Sequence, residues 1–151
     1  MIRPLGIKDI NQVLDLAYKA VFERGWVGVD FNRQDFNFKV KHTLVHKTNM
    51  CWGQFVDQKL IGFVVAMLEQ VPWTTETRCH VDLVHLDVEH RSLTDYQLLI
   101  NTVMTFCKEN KIKNISTHNN CYLLSNEERM ILLQNSGFYQ QDVTWERINE
   151  N

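Results

Sequence analysis

The 151-residue sequence predicts one α/β domain over residues 1–151, a mixed and mostly antiparallel sheet flanked by about four helices. Three features predict it. An apolar pattern of helical period opens the chain, a hairpin signal sits near its middle, and a strand then runs into a helix through Leu86–Leu99, LDVEHRSLTDYQLL. With 44% hydrophobic and 23% charged residues, the chain holds enough apolar surface for one buried core.

Taken in order, Met1–Leu5 reads as a short first strand. Over Ile7–Arg24, Ile10, Val13, Leu14, Ala17, Ala20 and Val21 recur at helical spacing until Gly25 stops the pattern. Trp26–Asn32 is a loop, and Phe36, Val40, Leu44 and Val45 mark a second helix ending near Asn49. Met50–Val56 and Leu60–Glu69 flank the polar turn Asp57–Gln58–Lys59 and are expected to pair antiparallel. The apolar run Leu60–Leu68 is about half the length a membrane-crossing helix needs, so it reads as a buried strand and no membrane span is expected.

After a loop at Gln70–Thr77, Arg78–Val88 alternates as a fourth strand. Strict alternation puts His80, Asp82, Val84 and Leu86 on one face and Cys79, Val81, Leu83, His85 and Asp87 on the other. Tyr96–Asn110 is a third helix with Leu99, Val103 and Phe106 facing the core and Thr94 or Asp95 as N-cap. Lys113–Thr117 is a fifth strand, Ser125–Ser136 a fourth helix closed by Gly137, and Phe138–Ile148 one or two closing strands.

Charge and cysteine usage exclude several classes. A formal net charge of −2 offers no global basic excess for phosphate neutralisation, so nucleic acid is not an expected partner. Cys51, Cys79, Cys107 and Cys121 form no C-x-x-C pair and no secretory leader is evident, so reduced cysteines and a cytoplasmic location are expected. His42 and His46 are four apart, but no third ligand accompanies them and no metal site is expected. The strand-to-helix loop is the chemically suggestive element: unpaired backbone N–H groups and the helix dipole make Arg91–Tyr96 a ready anion site.

The element order, together with Ile2–Arg3–Pro4 followed by Asp9, Leu86…Glu89–His90–Arg91, and Asn126…Gly137–Phe138, resembles the GCN5-related N-acetyltransferase (GNAT) superfamily over nearly the whole chain. The resemblance implies transfer of an acyl group, most simply acetyl from acetyl-CoA, to a small-molecule or protein amine; a homodimer is compatible with it. It implies that Leu86 and Val88 offer backbone groups to pantetheine. The pyrophosphate would lie on Arg91, Ser92, Leu93, Thr94, Asp95 and Tyr96, with Asn126 on the cofactor side of the fourth helix. Thr94 and Tyr96 stand where the family pattern R/Q-x-x-G-x-G/A has glycine, and Asp95 brings a carboxylate that either faces the anion or turns away to cap the helix.

His80 and Asp82 match positions where family members keep a general base. His85 and His90 are expected to be structural or solvent-facing. Leu133 stands where a tyrosine often protonates the leaving thiolate, with Tyr122 and Tyr139 the nearest tyrosines, and Trp26, Phe31, Phe36 and Phe38 would form an acceptor-side aromatic wall. The competing reading is a catalytically inactive GNAT-like binding or structural protein, a kind that phages encode. A splayed cleft between strands four and five leading to the loop and to His80 and Asp82 favours the transferase; a cleft filled by Tyr96 or another side chain favours the inactive module.

Overall fold

The structure, a computed structural model, describes residues 1–26, 31–118 and 122–139. It contains one five-stranded sheet in sequential order β1–β5. Strand β1 (Ile2–Pro4) pairs antiparallel with β2 (Asn49–Val56), which forms a hairpin with β3 (Lys59–Gln70), and β3 pairs antiparallel with β4 (Thr77–Leu86). Strand β5 (Asn114–Thr117) lies parallel to β4. The hairpin turns on Asp57 and Gln58, whose positive φ angles of 48° and 66° suit a two-residue turn that follows the twist of its strands.

Helices α1 (Ile10–Glu23) and α2 (Arg33–Val45) cover one face of the sheet. A short 3-10 turn, Ile7–Asp9, precedes α1. Val13, Leu16, Ala17 and Ala20 of α1 pack on Phe55, Leu60 and Phe63. Helices α3 (Leu93–Glu109) and α4 (Asn126–Asn135) cover the other face, where Val64, Ala66, Val81, Val84 and Leu86 meet Tyr96, Leu99, Ile100, Val103 and Leu132. No described helix is long and apolar enough to cross a membrane.

The early Arg3 and Asp9 make one structural unit. The Arg3 guanidinium donates to both Asp9 carboxylate oxygens at 3.0 and 2.8 Å and lies 4.1 Å over the Phe55 ring. The Gly6 amide adds a third donor to Asp9 at 3.0 Å. The pairing holds the Asp9 carboxyl below its ordinary range and pins β1 to the start of α1.

Strict alternation fails in β4. The pairing with β3 passes from Val65–Leu83 directly to Ala66–Val81, so Asp82 is an extra, bulged residue. The bulge reverses the phase: Cys79 and Val81 share the α3 face with Val84 and Leu86, whereas Leu83 joins the α1 cluster and the His85 ring lies 5.9 Å from Phe63. His80, Leu83 and His85 therefore share a face, and Val84 and Leu86 do not lie with His80 as alternation predicts.

Three other details differ. Helix α3 begins at Leu93 and is capped by Ser92 rather than by Thr94 or Asp95. Strand β4 stops at Leu86 and Val88–His90 is a 3-10 turn. Leu16 carries more of the α1 packing face than Leu14 or Val21. Gly137, at φ +83°, closes α4 as expected, while the closing strands expected over Phe138–Ile148 fall, from residue 140 onward, outside the described residues.

Gly62 in β3 permits the close approach of β4. A Cβ there would sit 2.9 Å from the His85 carbonyl oxygen and 2.5 Å from a Leu86 methyl. Gly62→Ala is expected to destabilise the fold by about 1–3 kcal/mol, because a backbone atom has to yield, and a urea unfolding curve measures it.

Candidate functional site

The site is set by where β4 and β5 part. Their ladder runs from Arg78–Asn114 to Val81–Thr117, and β4 continues beyond it to Leu86, paired with β3. The Asp87 amide donates to the Ile61 carbonyl at 2.7 Å. Along an antiparallel ladder this makes His85 and Asp87 bond toward β3, so Val84 and Leu86 turn their backbone groups to the splayed side.

Two arginines meet those groups. Arg24, just past α1, donates through Nη2 to the Val84 carbonyl at 3.0 Å, and through Nη1 to the Ala20 carbonyl at 3.1 Å. The same Nη1 lies 3.0 Å from His85 Nδ1. Arg91 donates through Nη2 to the Leu86 carbonyl at 2.9 Å and to Glu23 Oε2 at 2.8 Å. Glu23 Oε1 in turn lies 3.8 Å from His85 Nε2.

A guanidinium carries no acceptor, so His85 Nδ1 accepts from Arg24 and its proton sits on Nε2, facing Glu23. His85 is fully buried. Burial first, and the Arg24 and Arg91 charges next, push its pKa down to about 3 from 6.5. The ring is thus a neutral brace between α1 and β4. Its structural role agrees with expectation, although its face does not.

A cavity of about 540 Å³ opens beside this network, lined by Glu23, Arg24, Trp26, Tyr122, Leu123, Leu124 and Arg129. It lies between the end of α1 and the segment leading into α4. Beneath it, the Tyr122 hydroxyl pairs with Thr117 Oγ1 at 2.9 Å and its ring meets Tyr96 edge-on, with 6.2 Å between centroids. Tyr96, at one of the family's glycine positions, is fully buried in the α3 core rather than raised into the loop.

The loop differs from a pyrophosphate cradle. The Ser92 hydroxyl accepts the Asp95 amide at 3.1 Å and donates to the Asp95 carboxylate at 2.7 Å, while Gln54 Nε2 donates to the other carboxylate oxygen at 2.7 Å. Asp95 therefore turns inward and closes the helix N-terminus, one of the two orientations open in the sequence. The Val88 amide, expected to serve pantetheine, donates to Asp87 Oδ1 at 2.9 Å. Leu93 packs against the core, Thr94 is exposed, and the Asn126 side chain accepts from the Arg129 guanidinium.

His80 and Asp82 lie at the start of the splay. His80 Nδ1 is 2.8 Å from Ser116 Oγ on β5, and the His118 ring stands edge-on at 4.7 Å. Burial and then His118 lower the His80 pKa, and Asp82 and Glu69 partly oppose them. Asp82 is exposed on the bulge.

The expected aromatic wall is divided. Tyr18, Phe31 and Phe36 cluster with ring centroids 5.6 to 6.3 Å apart. Phe38 is exposed against His42, and Trp26 lies 5.6 Å from the Arg24 guanidinium. Glu23, Arg24, Gln54 and Ser116 were not singled out by the sequence. A charged pair at a helix end is ordinarily solvated, and no spacing rule joins it to a strand sixty residues later.

No known family profile and no curated protein sequence matches the chain. Solved structures do. A ribosomal-protein-alanine N-acetyltransferase from Brucella melitensis biovar Abortus 2308 superposes with a TM-score of 0.73 at 17% identity, over 99% of each chain. A possible acetyltransferase from Clostridium difficile 630 gives 0.77 at 15%, over 100% of this chain and 97% of that one. An aminoglycoside 6′-N-acetyltransferase from Acinetobacter haemolyticus gives 0.69 at 16%, over 100% and 99%. The chain has the GNAT fold.

The His85 environment carries a pH signature. Its folded pKa lies below its unfolded value of 6.5, so the unfolded chain binds the proton first and stability falls as pH drops from 6.5 toward 3. The loss approaches, at most, about 1.4 kcal/mol per pH unit, the worth of one proton. Urea midpoints measured across this window are expected to fall more steeply for the wild type than for His85→Gln.

Proposed function

We propose that the protein is an N-acyltransferase that uses acetyl-CoA and an amine acceptor, a small molecule or a protein. The observation that carries this reading is the splayed β4 edge, where the Val84 and Leu86 backbone groups face away from β3 and a cavity bearing Arg24 and Arg129 lies alongside. Val84 and Leu86 would hold the pantetheine amides, and Arg24 and Arg129 suit its phosphates by charge. Arg24 and Arg91 now occupy the two carbonyls. Both are long side chains that can be displaced without moving the sheet, and each such charged hydrogen bond is worth about 1.5–3 kcal/mol, which cofactor binding has to offset.

In the transfer, the amine nitrogen bonds the acyl carbon as the carbon–sulfur bond breaks. The amine proton passes to His80, the half-buried base at the mouth of the splay. The departing thiolate takes a proton from solvent, because Leu133 stands in place of the family's tyrosine.

A second reading, a catalytically inactive GNAT-like binding or structural protein, is favoured by the inward Asp95 carboxylate at the α3 N-terminus and by the two capped carbonyls. Titration calorimetry with acetyl-CoA separates the two readings. The transferase reading expects saturable binding and, at ligand concentrations of about 100 times Kd, roughly 2.7 kcal/mol of added stability. Asp95→Asn, which removes a negative charge beside the expected pyrophosphate, is expected to tighten Kd about tenfold. Absence of binding by both proteins at millimolar ligand would establish the second reading.

A further inference from the structure

His80 is held by a partner that nothing in the family pattern assigns. Ser116 Oγ lies 2.8 Å from its Nδ1, across the parallel ladder that registers His80 with Ser116 just before β4 and β5 part. With Nδ1 engaged by Ser116, Nε2 is the ring nitrogen left over for a second partner. The charged and titratable groups around the ring are His118 beyond β5, Asp82 and Arg78 on its own strand, and Glu69 on β3.

We propose that Ser116 is the positioning residue of His80, accepting a hydrogen bond from Nδ1–H so that the Nε2 lone pair is presented to the amine. The inference rests on the reading of His80 as general base. A neutral imidazole has one N–H and one lone pair, and the bond made at one nitrogen fixes the role of the other. When the amine N–H bond breaks, its proton and positive charge pass to Nε2, and the resulting imidazolium keeps Nδ1–H bonded to the serine oxygen. Burial first, and the neighbouring His118 next, lower the His80 pKa, which favours the neutral ring. The short contact thus selects the tautomer, and burial together with the neighbouring ring favours the neutral form.

Long-range ¹⁵N–¹H NMR of the histidine rings tests this on the intact protein without any cofactor. The wild type is expected to hold His80 as the Nδ1–H tautomer. Ser116→Ala should shift it to Nε2–H and Ser116→Thr should restore it, while His118→Gln should raise the His80 titration midpoint. An Nε2–H tautomer in the wild type, or one indifferent to Ser116→Ala, overturns the inference. An Nδ1–H tautomer in a protein that does not bind acetyl-CoA supports the Ser116 contact and overturns the transferase reading, so the two failures are distinguishable.

Discussion

The bulged residue Asp82 sets the geometry on which the site depends. Side chains in a strand alternate with period two, so one inserted residue exchanges the faces of everything that follows. Because Asp82 is skipped in the pairing with β3, Val84 and Leu86 enter the α3 core and His85 turns beneath α1. The same shift aims the Val84 and Leu86 backbone away from β3, into the space β5 leaves when its ladder ends at Val81–Thr117. The bulge therefore sets both the direction of the backbone groups at the open edge and the burial of the histidine beside it.

The open edge would leave carbonyl groups without partners, which is costly away from water. Arg24 and Arg91 supply the missing donors, Glu23 pairs with Arg91, and His85 braces Arg24 through Nδ1. With side-chain exposures of 18% for Arg91 and 30% for Glu23, this ion pair is neither a solvated surface contact nor a dry one. The network contributes orientation more than net stability, since its desolvation cost offsets much of its attraction. It also places positive charge along the splayed edge of β4.

Much of the architecture was legible in the residues because it rests on local rules. The hairpin followed from the polar turn at Asp57–Gln58–Lys59, and the α4 stop followed from Gly137. The Arg3–Asp9 pair carried weight in the family resemblance and forms a bidentate bond. Periodicity misread β4 because a bulge has no signature in an alternating strand. The N-cap of α3 was placed two or three residues late, since Ser92, Thr94 and Asp95 are all good caps and only backbone geometry chooses among them. Tyr96 stands where the family pattern has glycine, and only the structure shows its ring turned into the core.

By itself the sequence determined the order of elements, the fold class, and the identity of a strand-to-helix loop without its glycines, because propensity, periodicity and turn chemistry act over short stretches. It also placed His80 and Asp82 on the strand that bears the site. Only the tertiary structure decided which way Asp95 points, that Arg24 reaches a strand sixty residues away, and that Ser116 meets His80 at 2.8 Å. Those contacts join residues distant in the chain. Their partners are chosen by strand register and by the demand that buried polar groups be satisfied, and both are properties of the assembled fold.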